Sequence, residues 1–177
     1  MSQPAGPGAA ASLPDGTRPG ADGDVPGTKA VVVGVDGSDA SRVAIALAAR
    51  EAGYRGAPLI AVQAYSGERT LGAPAARPLS LRTAEDERID AEVSLRQAVR
   101  DVLGDQADGV EIRTILGLAG RKIVETANKV NAQLIVLATR GSTSMLLGTV
   151  SLYVLRKAPC PVLVVPAGSG AAQSVLA

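Results

Sequence analysis

The stretch AVVVGVDGSDAS, Ala30 to Ser41, holds a strand, a turn and the start of a helix. Its first six residues are apolar and rich in valine, the composition of a strand buried on both faces of a parallel sheet. DGSDAS then turns the chain. Ser38 or Asp39 can accept a backbone N–H at the start of the helix read over SRVAIALAARE. That helix carries Ala, Ile, Leu and Val round most of its surface, which suits close packing on a sheet.

Outward from this stretch the alternation repeats. Strands are expected near 30–36, 58–65 (in APLIAVQAY), 110–115 (in GVEIRTIL), 133–138 (QLIVLA) and 161–165 (in CPVLVVP). Between the second and third lies a charged segment, 84–104, with Ile89, Val93, Val99 and Leu103 near one side, an amphipathic helix. GRKIVETANKV places Ile123, Val124, Ala127 and Val130 at i, i+1, i+4 and i+7. LLGTVSLYVLRKA places Leu147, Val150, Val154 and Ala158 on one helical stripe. Strands alternating with helices make an α/β protein, a parallel sheet with helices on both faces.

Composition narrows the function. A chain of 177 residues suits one domain, and a formal net charge of +1 gives no reason to expect nucleic acid or an anionic membrane as partner. There is no His, which excludes a histidine-based catalytic triad and a histidine-ligated metal. With no Phe, no Trp and three Tyr, stacking platforms for single strands are not expected. Cys160 is the only cysteine, so no internal disulfide forms, and between two prolines at a strand start it reads as a small core residue. EDERIDAE (85–92) resembles a metal cluster by count, but on a helix such charges form a solvated face with i,i+4 pairs. The N-terminus lacks the features of a secretory signal and no run reaches membrane-span length, which gives a soluble, cytoplasmic protein as the expectation. Residues 1–28 hold five prolines and six glycines with little to bury, and read as a disordered tail. The domain is expected over 29–166, and 167–177 as a flexible C-terminal tail.

A phosphate site is suggested by ATRGSTSMLLGTVS, Ala138 to Ser151, between an apolar strand and a helix. Glycines at 141 and 148 let backbone N–H groups approach an anion, Thr149 and Ser151 offer hydroxyls, and a helix N-terminus favours negative charge. Arg140 adds a positive charge. The other reading of the same residues is structural: Gly148 starts a helix, and Asp36 supports a turn. No nucleophile with a partner base is visible, so an enzyme with its own chemistry is the weakest reading.

Taken together, VVVGVDGSDAS and LGTVSLYVLRKAPCPVLVV resemble the universal stress protein family, over roughly 29–166. The resemblance implies five parallel strands in the order 3-2-1-4-5, of the adenine nucleotide alpha hydrolase-like kind. Ligands then bind in the crevice between strands one and four. It implies Asp36, with Gly37 and Ser38, on the nucleoside, and the backbone of Val62 on adenine. Ala138, Arg140, Gly141, Gly148, Thr149, Val150 and Ser151 would line the phosphates. The chain departs from the family pattern twice: Ala138 stands where a glycine is usual, and only STSMLL separates Gly141 from Gly148 where nine residues are usual. The implied ligand is ATP or another adenine nucleotide, with Mg²⁺ only if a triphosphate binds, and any hydrolysis very slow. The resemblance also implies a homodimer through the last strand, Val162, Leu163, Val164 and Val165, and a protein partner the sequence does not identify. Two functions stay open: a nucleotide-binding regulator of the stress response, or a dimeric interaction module that binds no nucleotide.

Overall fold

The computed structural model describes residues 29–66, 83–139 and 147–166. The two tails, Arg140 and Gly141 lie outside the described residues. In chain order the elements are β1 (Val31–Gly34), α1 (Asp39–Arg55), β2 (Leu59–Tyr65), α2 (Ala84–Leu103), a 3₁₀ turn (Gly104–Gly109), β3 (Glu111–Leu116), α3 (Ala119–Lys129), β4 (Leu134–Ala138), α4 (Thr149–Lys157) and β5 (Val162–Val165). All pairings are parallel and the strand order is β3-β2-β1-β4-β5, as the sequence reading holds.

Each strand sends alternate side chains to opposite faces. Val31 and Val33 of β1 join α1 and α2 in one core, with Ile45, Leu95 and Val99. Val32 joins α3 and α4 in the other, with Ile123, Ala127, Ile135 and Val154. Valines 31 to 33 are fully buried, and each stabilises the fold by about 1.5–3 kcal/mol relative to exposure. Cys160 packs half-buried at the edge of the second core, and burial pushes its thiol above the ordinary value.

Caps fix the helix starts. Ser38, one of the two candidates, caps α1 by accepting the Ser41 N–H, and Gly56 closes the helix in the left-handed region at φ 58°. Thr83 and Asp86 form a reciprocal capping box on α2.

Two helix faces differ from expectation. In α2 the buried residues are Ala91, Leu95, Ala98 and Val99, whereas Ile89 and Val93 are exposed. The alanines bring the helix close to the sheet, and this turns the larger Ile89 and Val93 outward. In α4 the inner side is Ser151 and Val154, with Ala158 packed against them. The helix begins only at Thr149, so Leu147 precedes it and Val150 lies on its flank. Strand β1 ends at Gly34 rather than near Asp36. Among the described residues no helix is long and apolar enough to cross a membrane.

Candidate functional site

The carboxyl ends of the central strands do not stop at one level. Gly34, the last residue of β1, pairs with Val62, yet β2 continues beside β3 to Tyr65. On the other side Val33 pairs with Val136, yet β4 continues beside β5 to Ala138. A notch therefore lies above the end of β1, walled by β2 and β4. It is the point where strand order reverses, where open α/β sheets take their ligands.

The turn after β1 forms the floor of the notch. Gly37 sits at φ 79°, a conformation that favours glycine. The Asp36 carboxylate accepts the Ser38 N–H at 3.1 Å and the Ser38 hydroxyl at 2.6 Å. Ser38 Oγ in turn accepts the Ser41 N–H at 3.3 Å. Asp36 thus holds the turn while standing exposed at the mouth, so the structural and the ligand readings of this residue are compatible.

Helix α4 is the next element after β4 and packs on α3 and β5. Its N-cap is Gly148, with φ −64° and ψ 163°, and among the described residues no side chain caps the helix. Its first-turn N–H groups carry the positive end of the helix dipole and have no side-chain acceptor at the cap. Among the described residues a Cβ built on Gly148 would meet nothing within 4 Å, and its backbone angles suit any residue. Among the described residues neither packing nor conformation asks for glycine here, and a helix start without a capping side chain suits an anion. Thr149 and Val150 are exposed, whereas Ser151 is only 3% exposed on the inner side of α4. Ala138 ends β4 half-buried, paired with Val165.

Val62 stands at the level where β1 ends, paired with Gly34. It is 1% exposed, and its carbonyl accepts the Val35 N–H at 2.9 Å. Two residues on, Ala64 turns its N–H and C=O to the same side as Val62, toward β1, because strand backbones alternate. The Tyr65 carbonyl points the other way and accepts the Gly117 N–H at 2.9 Å. Strand β1 has ended before it reaches Ala64, so among the described residues no strand pairs with that side of Ala64. Ala64 therefore presents a further backbone edge beyond the end of β1, one that the sequence reading did not name. The signal was the length of β1, a property of register that no local pattern carries.

A cavity of about 570 Å³ opens over the ends of β2 and β3, with Gln63, Ala64, Tyr65, Glu87, Ser94 and Leu118 in its lining. It is displaced by one strand from the β1/β4 notch, and Ala64 belongs to both. We take the notch as the candidate site, because strand order reverses there and the Asp36 turn stands at its mouth. Among the described residues no group of three or more Cys, Asp or Glu is placed to hold a metal.

With this geometry in view, a family model described as universal stress protein family matches residues 27–166. A universal stress protein of Mycobacterium bovis is 36% identical over 138 residues, which is 76% of this chain and 44% of that protein. The chain thus spans under half the length of the mycobacterial relatives it matches. A universal stress protein of Thermus aquaticus is 35% identical over 77% of this chain and 98% of its own length. Among solved structures, universal stress protein UspA from Lactobacillus plantarum superposes with a TM-score of 0.61 at 27% identity, covering 78% of this chain and 97% of that one. A universal stress protein in complex with cAMP gives 0.57 at 28% identity, with coverage of 78% and 97%. The Archaeoglobus fulgidus protein in complex with dAMP gives 0.54 at 24% identity, covering 77% of this chain and 97% of that one.

Proposed function

We propose that this chain, which belongs to the universal stress protein family, binds an adenine nucleotide in the notch above β1 and acts as a regulatory factor in the stress response. The observation that carries the reading is the start of α4: among the described residues, an uncapped helix of nine residues whose N-cap is a glycine that neither packing nor backbone angles require. Phosphate accepts N–H groups there, Asp36 takes ribose hydroxyls, and the Ala64 edge offers one donor and one acceptor to a base. The 28%-identical structure in complex with cAMP supports an adenine nucleotide as the class. ATP is the first candidate, with Mg²⁺ as its companion, and the cytoplasm is the compartment this reading carries. On the turn at the notch the Asp36 carboxylate is engaged with Ser38, and the next carboxylate, Asp39, opens the first turn of α1. The reading is therefore of a protein that holds nucleotide and turns it over very slowly if at all.

The test is calorimetry with ATP, ADP and AMP at millimolar concentration, together with analysis of nucleotide released on heat denaturation. Saturable binding of any one of them supports the proposal, and no binding of all three ends it. The second reading, a dimeric interaction module, has its own supporting observation. Outer strand β3 carries a paired Glu111 and Arg113, which discourages edge pairing, whereas β5 reads VLVV without a charge. A homodimer through Val162 to Val165 is compatible with either reading.

A further inference from the structure

Two polar side chains stand at positions that the fold otherwise gives to the core. Strand β2 reads LIAVQAY, and Gln63 is its one amide side chain. Gln63 lies two residues beyond Ala61, so both project to the same side of the sheet, where Ala61 packs in the core with residues of α1 and α2. The Gln63 Oε1 atom is buried, and among the described residues it accepts no hydrogen bond. Helix α2 packs on β2 and β3. Its inner stripe runs back through Leu95 and Ala91, and one turn earlier the same stripe presents Glu87, half-buried. The neighbouring carboxylates Glu85 and Glu92 are held by Arg88 and Arg96. Among the described residues Glu87 has neither an ion pair nor a side-chain hydrogen bond.

Gln63 and Glu87 both line the cavity of about 570 Å³ over the ends of β2 and β3, a size that suits a small organic ligand. Asp90 and Ser94 reach it from the same helix, at i+3 and i+7 from Glu87. Among the described residues that line it, none is Lys or Arg. Tyr65 and Leu118, the latter 78% exposed, add apolar surface. The lining is thus rich in acceptors, negative in charge and partly apolar. A buried acceptor left unpaired costs stability, so it marks a place where a donor belongs. An unpaired carboxylate in the same cavity favours a donor that carries positive charge.

We propose that this cavity is a binding site for an organic cation, a primary ammonium on a short carbon chain. An ammonium has three donors and no acceptor, the complement of such a lining. It bonds Gln63 Oε1 and the Glu87 carboxylate, and its chain lies against Tyr65 and Leu118. The cavity is one strand away from the notch, and the assignment stands whether or not nucleotide binds.

Calorimetry of the full chain with cadaverine tests this, with 1,5-pentanediol as the uncharged molecule of equal chain length. Saturable binding of cadaverine, with none of the diol at the same concentration, is the expected result. Glu87→Gln should weaken cadaverine about tenfold or more, the loss of one charge-assisted hydrogen bond. Gln63→Leu should weaken it by a similar factor and raise the thermal midpoint of the free protein, because it removes a buried acceptor that has no partner. Circular dichroism checks that each variant folds, and Glu87→Gln carries the test alone where Gln63→Leu does not. Asp105→Asn, at an exposed carboxylate on the 3₁₀ turn outside the cavity, should leave the affinity unchanged. Absence of saturable cadaverine binding overturns the proposal, even beside a raised midpoint for Gln63→Leu, since the oxygen then meets water only. Equal binding of the diol overturns it by taking charge out of the recognition. Weakening by Asp105→Asn as large as that by Glu87→Gln overturns it by assigning the binding to diffuse attraction, and so does unchanged affinity in either cavity variant.

Discussion

Gly34 sits where a larger residue collides. A Cβ there would lie 2.6 Å from Leu137 Cδ2 and 2.7 Å from Ile123 Cδ1, at the point where α3 crosses β1 and β4. Gly34→Val should cost about 1–3 kcal/mol of stability, read as a lowered midpoint in urea. Gly148 makes the opposite case. Among the described residues nothing crowds it and its backbone is ordinary, so Gly148→Val should leave stability within about 0.5 kcal/mol. The branched side chain would occupy the approach to the α4 N–H groups. Losing one charge-assisted hydrogen bond costs about 1.5–3 kcal/mol, so nucleotide affinity should fall about tenfold or more by calorimetry. An unchanged affinity would remove α4 from the site.

At the scale of elements, α2 depends on its capping box. Thr83 accepts the Asp86 N–H at 3.2 Å, and Asp86 accepts the Thr83 N–H at 2.7 Å. Thr83→Ala should destabilise the protein by about 0.5–2 kcal/mol in thermal or urea unfolding. For β5, Val164→Lys places a charge on the one outer strand that carries none, and should convert a dimer to monomer in sedimentation at micromolar concentration. A dimer unaffected by this change would move the interface elsewhere. The elements themselves were legible in the sequence. Five short runs rich in Val, Ile and Leu, separated by helical stripes, specify the strands to within one or two residues. Ser38 and Gly37 were readable as a turn because their chemistry is local. The inner face of α2 was not readable, because Ala91 and Ala98 gain their place through close approach to the sheet, while residue size pointed to Ile89 and Val93. Ala64 was not readable for a related reason: its role depends on where a different strand stops.

For the whole molecule, two cores on either side of one sheet mean that opening the central strands requires losing both. Amides in β1, β2 and β4 should exchange with solvent deuterium only through global unfolding. Ala64 is the exception built into the uneven strand ends. Its amide belongs to a central strand, yet β1 stops short of it. We expect it to exchange orders of magnitude faster than that of Val62, two residues away in the same strand. A bound base would slow Ala64 selectively, while Val62 would change only by the overall stabilisation that ligand confers. One backbone position thus becomes a built-in clock for occupancy, readable by magnetic resonance without a label, a substitution or an assay of function.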